Sequence, residues 1–322
     1  MKSSPMNKKK LIIIAGPTAT GKSDLSIDIA SEYQLPIVNA DSLLFYRELN
    51  IGVAKPRQDD RKKVPHYLID VASINEPLNA KTYRDLAEET MNELWKKYQG
   101  IILCGGSGFY IRALINGMYD SVTTDPEILD RSNKLYLIEG IKPFQDILQS
   151  VDQETFQKLH PNDHYRIRRA VEHWWMTQIP LSQASSLQAE KNNTFPYWQE
   201  QGWEILYLYT DIPKDIHHEI IIKRTQLMLK NGLINEVKDL LKIYSGKEKP
   251  LQSIGYKEVQ DYLMGKITSD SELIEKIVIS TRQLAKAQRT WFANVEKISL
   301  SYPNFIMEAK RYINNFLNYS RT

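Results

Sequence analysis

Residues 11–23 read LIIIAGPTATGKS, and this short stretch decides the fold. Leu11 to Ala15 is an apolar, largely β-branched run of buried-strand length, closed by Gly16-Pro17. Gly16, Pro17, Thr18, Ala19, Thr20, Gly21, Lys22 and Ser23 then fit the pattern G-x4-G-K-[ST]. Leu25, Ile29 and Tyr33 recur at helical spacing, which predicts a helix from about Lys22 to Tyr33. Strand, glycine-rich turn and helix, in that order, form the context in which the pattern has a mechanism. Glycines let several backbone N–H groups converge on one centre, and the helix N-terminus adds partial positive charge there. Lys22 supplies a full charge, and the Ser23 hydroxyl can ligate Mg²⁺. The loop specifies a polyphosphate and no more. ATP is the usual guest of a nucleotide-binding loop, but any diphosphate satisfies the same groups.

Outward from the loop, strands and helices alternate. Pro36 to Ala40 and Tyr67 to Val71 read as strands, and Asn79 to Tyr98 as an amphipathic helix capped by Asn79. Ile101 to Cys104 is a further buried strand, closed by Gly105-Gly106. The alternation predicts an α/β fold with a P-loop NTPase-like parallel sheet flanked by helices. From about Tyr119 to Trp203 the spacing is helical, and no strand follows until Ile205 to Tyr209. This predicts a mainly helical insertion domain, 119–203, within a core of 1–118 and 204–322. The C-terminal third reads as helical, with stops at Gly232, Gly246 and near Gly265.

Composition narrows the function classes. The 322 residues suffice for about two domains. Lys plus Arg number 42 against 39 Asp plus Glu, so a net charge of +3 does not by itself imply a nucleic-acid partner. Cys104 is the only cysteine, which excludes an internal disulfide framework and a multi-cysteine zinc cluster. No apolar run approaches the roughly 18 residues of a membrane span. The start, MKSSPMNKKKLIIIAG, imitates a signal peptide, but its apolar core is too short. The expectation is a cytoplasmic chain with no membrane association and no obligate protein partner.

Ligands of open α/β sheets lie beyond the carboxyl ends of the strands, so Asp41, just past the second strand, should sit near the bound phosphates. It can hold Mg²⁺ through water, act as a general base, or cap a turn. The strand ending in Cys104 carries no acidic residue at its end, which disfavours a motor-type ATPase. Two helical stretches present basic residues. Within Tyr165 to His173, Arg166, Arg169 and His173 share one face, while Ile167, Val171 and Trp174 form an apolar one. Arg282, Lys286 and Arg289 fall at i, i+4 and i+7. Such stripes suit phosphates but are more often solvated helix faces.

With GPTATGKS, NADSLLFYR, IGVAKP, VPHYLID, GGSGFYIRAL, HPNDHYRIRRAVE, KRTQLMLKNGLINEV, SIGYKE and TRQLAKAQ-TWF in this order, the chain resembles the tRNA dimethylallyltransferase (tRNA isopentenyltransferase) family from about residue 11 to residue 292. The resemblance implies a Mg²⁺-dependent, monomeric enzyme with two substrates: dimethylallyl diphosphate and a tRNA anticodon stem-loop. The phosphate loop, Gly16 to Ser23, then holds a leaving diphosphate rather than ATP, with Ser23 as metal ligand. Asp41 matches the general base that takes a proton from the adenine amine, Arg224 the arginine that neutralises diphosphate, and Ser107 a hydroxyl near the reacting amine. Asp41, Ser42, Leu43, Leu44 and Ser107 match the segments that read the target base. Tyr165, Arg166, Ile167, Arg168, Arg169, Arg282, Lys286 and Arg289 match segments facing the tRNA. His66, in VPHYLID, is expected to be structural.

The chain also departs from the family. Leu44 stands where Gln is usual, Ser107 where Thr is, Gln178 where Gly is, and Leu129, Ile220, Gln252 and Ala287 where basic residues are common. These changes spare the loop, Asp41 and Arg224, and fall on the tRNA-facing side. The expectation is that the implied chemistry is retained, with a relaxed, altered or weakened tRNA specificity. A small-molecule P-loop kinase and a catalytically weakened tRNA-binding relative are the alternatives.

Overall fold

A computed structural model describes residues 8–116, 125–184 and 196–318. The described residues fall into two compact units: 8–116 with 196–318, and 125–184. The expected boundary at residues 118 and 119 lies outside the described residues. At the other boundary the core takes in more than expected, because the helix Pro196–Glu200 belongs to it. Trp198 is fully buried there, its indole N–H donates to the Leu114 carbonyl, and its ring packs on Trp203 at 4.8 Å.

The core is built on six parallel strands: β1 (Lys9–Ala15), β2 (Ile37–Asn39), β3 (His66–Tyr67), β4 (Ile101–Gly105), β5 (Trp203–Thr210) and β6 (Ile298–Leu300), in the order β3-β2-β4-β1-β5-β6. The third strand is shorter than expected, and β6 was not anticipated. With alternating residues and a charged neighbour at Lys297, three residues give too little periodicity to register as a strand.

Both faces of the sheet are covered. Leu11, Ile13 and Ala15 of β1 join the larger core on one face, with Tyr83, Ala87 and Met91 of the helix Ala80–Trp95. Ile12 and Ile14 join the other, against the helices Lys22–Tyr33 and Phe305–Leu317. A central parallel strand must be apolar on both sides, which is why residues 11–15 read as an unbroken run. The helix Ala80–Trp95 starts where expected, with Asn79 Oδ1 accepting the Thr82 N–H.

Register positions the site. Ala15 lies opposite both Gly105 and Tyr209, and Asn39 opposite Cys104. The carboxyl ends of β1, β2, β4 and β5 are therefore level, and the segments after them share one edge.

The second unit contains the helices Pro126–Glu139, Lys142–Val151, Gln153–Lys158 and His164–Thr177. Phe144, Leu148, Ile167, Ala170 and Val171 form its core, with Tyr136 and Trp175 packed against it. The inward tryptophan is Trp175 rather than Trp174, because a stripe through Ile167 and Val171 continues at i+4. Arg131 stacks over Trp175 at 4.2 Å.

Candidate active site

The phosphate loop is shaped by contacts that its sequence dictates. Any side chain at Gly16 would meet the Thr210 carbonyl at 2.2 Å, so only glycine lets the loop leave β1 beside β5. Thr20 Oγ1 donates to the Pro17 carbonyl and shares a hydrogen bond with Thr210 Oγ1 at 2.8 Å. Ala19 takes a left-handed conformation, φ 61°, and Gly21 does so at φ 83° as the first helix begins. Lys22 reaches back over the loop to the Pro17 carbonyl at 2.6 Å. Burial pushes its ammonium down to about 8, with Arg224 acting in the same direction and Asp41 opposing it.

Two helices from the C-terminal half close over this loop, the helix Lys214–Lys230 and the helix Asp270–Phe292. Arg224 donates to Thr18 Oγ1 at 3.3 Å, and burial lowers its pKa against the pull of Asp41. Gln288 accepts the Thr18 N–H at 2.7 Å and donates to the Gly106 carbonyl at 2.9 Å. Among the described residues neither Lys22 nor Arg224 has a carboxylate within ion-pair distance. Two cations are thus held near one loop with their charge uncommitted.

Asp41 is fixed by a turn at the end of β2. Asn39 Oδ1 accepts the Asp41 N–H, and the Asn39 amide donates to the Asp41 and Leu68 carbonyls. The Asp41 carboxylate accepts the Leu43 N–H at 3.0 Å. Ser107 ties this turn to β4, its hydroxyl accepting the Ser42 N–H at 3.1 Å. The close approach of the two strand ends explains the glycine before it, since a Cβ on Gly105 would sit 2.2 Å from the Ala40 carbonyl.

A cavity of about 830 Å³ joins these parts. Thr18 to Asp24, Asp41 and Arg224 line it, and Leu44, Ile51, Val53, Ile69, Leu227 and Met228 supply apolar surface. The segment carrying Ile51 and Val53 is pinned from below. Glu236 accepts the Ile51 N–H at 2.8 Å and the Tyr256 hydroxyl at 2.5 Å. Lys55 pairs with Asp70 at 2.6 Å, and Arg61 takes the other Asp70 oxygen at 2.7 Å, which holds that carboxyl below its ordinary range. His66 accompanies them as a structural group, its Nδ1 on the Val64 carbonyl and its pKa lowered by burial. Hard oxygens suited to a divalent cation, the Ser23 hydroxyl and the Asp41 carboxylate, line the same cavity.

The expected residues therefore separate into groups. Thr18 to Ser23 of the loop, Asp41, Leu44 and Arg224 share the cavity, Gly16 and Pro17 lie behind it in sequence, and Ser107 braces it. Several residues assigned to the tRNA face do other work. Ile167 is 2 % exposed and belongs to the core of the second unit. His173 is buried, so the stripe through Arg166 and Arg169 does not continue to it as a solvated face. Arg169 pairs with the buried Glu172 at 2.7 Å, and Arg168 bonds Ser132 and Asn133 and stacks on Tyr136. Arg289 is held by both oxygens of Asp211 and is not a free member of a phosphate rail. Tyr165 and Arg166 are exposed, as are Arg282 and Lys286. Sequence reasoning missed Gln288, His217, Glu236 and the Lys55–Asp70 pair. Each acts on a segment distant in sequence, so no local pattern announces it.

A family model described as IPP transferase matches residues 44–295. The chain is 37% identical to the tRNA dimethylallyltransferase 1 of Citrifermentans bemidjiense, over 96% of this chain and 98% of the relative. The full-length tRNA isopentenylpyrophosphate transferase of Bacillus halodurans aligns over 97% of both chains, with a TM-score of 0.67 and 28% identity. A eukaryotic dimethylallyltransferase acting on tRNA covers 97% of this chain and 80% of its own, with a TM-score of 0.80; at 23% identity it bears on the fold alone. A phosphate loop with uncommitted cations, an aspartate lining the same cavity and this match along most of the sequence agree: the chain belongs to the IPP transferase family.

Proposed function

We propose that this protein transfers a dimethylallyl group from dimethylallyl diphosphate to the exocyclic amine of the adenine 3′ of the anticodon in tRNA. The observation that carries this reading is the shared cavity, with Lys22 and Arg224 near the phosphate loop and the Asp41 carboxylate in the same walls. The loop N–H groups, Lys22 and Arg224 bind the diphosphate and stabilise charge as it leaves. Asp41 receives the amine proton. The carbon–oxygen bond to diphosphate breaks, a carbon–nitrogen bond forms at the amine, and diphosphate departs with the electron pair.

The apolar side chains Ile51, Val53, Leu227 and Met228 suit an isoprenoid and exclude water from a cation-like allylic carbon. An aryl amine is a weak nucleophile, so positioning supplies much of the acceleration. The base must leave its stack to reach Asp41. Mg²⁺ fits the donor set, because Ser23 and Asp41 offer only hard oxygens and the ion is usually completed by substrate phosphates and water. When bound, it adds positive charge to the diphosphate. Tyr165, Arg166, Arg282 and Lys286 are the exposed candidates for tRNA contact. Leu44 gives the wall near Asp41 an apolar group with no hydrogen bond for a base, which supports an altered acceptor preference.

The test is incubation with unmodified tRNA, Mg²⁺ and either dimethylallyl diphosphate or ATP, followed by nucleoside mass spectrometry. Prenylated adenosine with the first donor and none with the second is expected. ATP turnover without prenyl transfer would refute the reading in favour of a kinase.

A further inference from the structure

Thr18 is gripped from three directions, and two of its partners, Gln288 and His217, have no part in the reaction above. His217, 3 % exposed, sits near the start of the helix Lys214–Lys230 with its Nε2 2.8 Å from the Thr18 carbonyl. Its Nδ1 lies 2.9 Å from Arg289 Nη2. Arg289 is in turn bound through Nε and Nη2 to both oxygens of Asp211, at 2.8 to 3.1 Å. A guanidinium only donates, so Nδ1 accepts; a carbonyl only accepts, so Nε2 carries the proton. The relay Asp211–Arg289–His217 thus fixes one tautomer and aims its N–H at the loop.

The consequence follows from peptide geometry. In a trans peptide the C=O and the next N–H point in opposite directions. Holding the Thr18 carbonyl on His217 turns the Ala19 N–H away from His217. Gln288 does the same one peptide earlier: it takes the Thr18 N–H, and the opposed Pro17 carbonyl receives Lys22 and Thr20. Two consecutive peptides are set by side chains from the C-terminal helices. The left-handed Ala19 at φ 61° is a conformation that a non-glycine residue keeps only when its surroundings enforce it.

We propose that His217 is a positioning residue for the diphosphate loop, held by Arg289 as the tautomer that orients the Thr18–Ala19 peptide for the donor's diphosphate. This rests on the loop being the diphosphate site. His217 touches no reacting atom. Its effect is on donor binding, through a peptide direction that no loop residue fixes alone.

Inorganic diphosphate with Mg²⁺, titrated calorimetrically into the whole protein, isolates the loop from prenyl chemistry. His217→Leu should weaken diphosphate binding and raise the donor KM about tenfold, while the tRNA KM stays within about twofold. His217→Gln keeps an N–H donor and should restore most of the loss. Arg289→Met supplies a signature that lost packing would not. Asp211, Lys22 and the Thr18 carbonyl then face the ring without Arg289. The neutral ring can offer its proton to Asp211 and turn a lone pair on Thr18, whereas the imidazolium donates at both nitrogens. Relative to wild type at the same pH, Arg289→Met should bind diphosphate worse at about pH 8 than at about pH 6. A folded His217→Leu protein with unchanged diphosphate affinity would overturn the inference, as would equal shifts in both KM values or no rescue by Gln. Wild-type protein that fails to bind diphosphate would remove the functional reading itself.

Discussion

Two arginine-bearing regions of this molecule use the same side chain in opposite ways. Beside the phosphate loop, Lys22 and Arg224 are half-buried near a cavity, and neither is ion-paired to a carboxylate among the described residues. In the helix His164–Thr177, Arg168 and Arg169 converge on Glu172, which is 1 % exposed and also accepts the Ser132 hydroxyl at 2.5 Å. The first region leaves its charge without a carboxylate partner among the described residues, at a cost in burial. The second spends its charge on its own fold. A count of basic residues does not distinguish them; the acids within reach do.

The sharpest way to break this contrast is to remove Asp41, the acid that shares the cavity with Lys22 and Arg224. Asp41→Asn should lower kcat by about 10²- to 10⁴-fold, the range for a lost general base, with diphosphate affinity held within about threefold. Single-turnover prenyl transfer and calorimetry measure the two. Transfer at the wild-type rate would disqualify Asp41 as the base.

The reserved charge itself should be visible next. Lys22→Met should weaken diphosphate binding by about 10- to 100-fold, as expected for a charge-assisted contact. The ammonium titrates at about 8 in the free protein, so wild-type affinity should fall as pH rises above that value, and the Met variant should lack this component. Stability runs the other way. The unfolded chain keeps its lysine protons to about 10.5, so between these values unfolding takes up a proton and stability rises with pH. Below about 8 the buried charge costs stability, so Lys22→Met should melt higher than wild type at neutral pH. A lower melting temperature would mean that the ammonium is not held at a cost.

What could be read in the sequence follows the same division. The strand at residues 11–15, the loop after it and Asp41 past the next strand are local patterns with a mechanism, and register brings them to one edge. The resemblance added Arg224, which sits 206 residues from its partner Thr18. In the basic helices the spacing does not show which charges are already paired, because a stripe of charge records only its own element. Arg289 looked like a neighbour of Arg282 and Lys286, yet Asp211, 78 residues away, had already claimed it. Ile167 matches a tRNA-facing block of the family, yet its apolar side chain lies in a core. Pairings across long stretches of chain leave no period to find.

Removing the acid from the second region gives the complementary experiment. Glu172→Ala leaves Arg168 and Arg169 without their buried partner. Arg169 is partly exposed and can regain water, so the cost should be about 2 to 3 kcal/mol rather than the upper range for a broken buried pair. Denaturant unfolding measures it. Diphosphate affinity should not move, because the loop site is built entirely from residues of the other unit.

The smallest effect separates neighbours on one helix. Arg282 and Lys286 are exposed on the helix Asp270–Phe292, whereas Arg289 is tied to Asp211 and His217. If the exposed pair meets RNA phosphates, replacing Arg282 with Ala should weaken tRNA binding a few-fold and reduce the salt slope of log K by about 0.7 to 0.9. Diphosphate binding should be untouched. Arg289→Ala should do the reverse, disturbing diphosphate binding through His217 while leaving the tRNA salt slope as it was. Two basic residues seven positions apart would then report to different substrates. A common effect of both on the salt slope would return Arg289 to the phosphate rail that its spacing suggests and its partners deny.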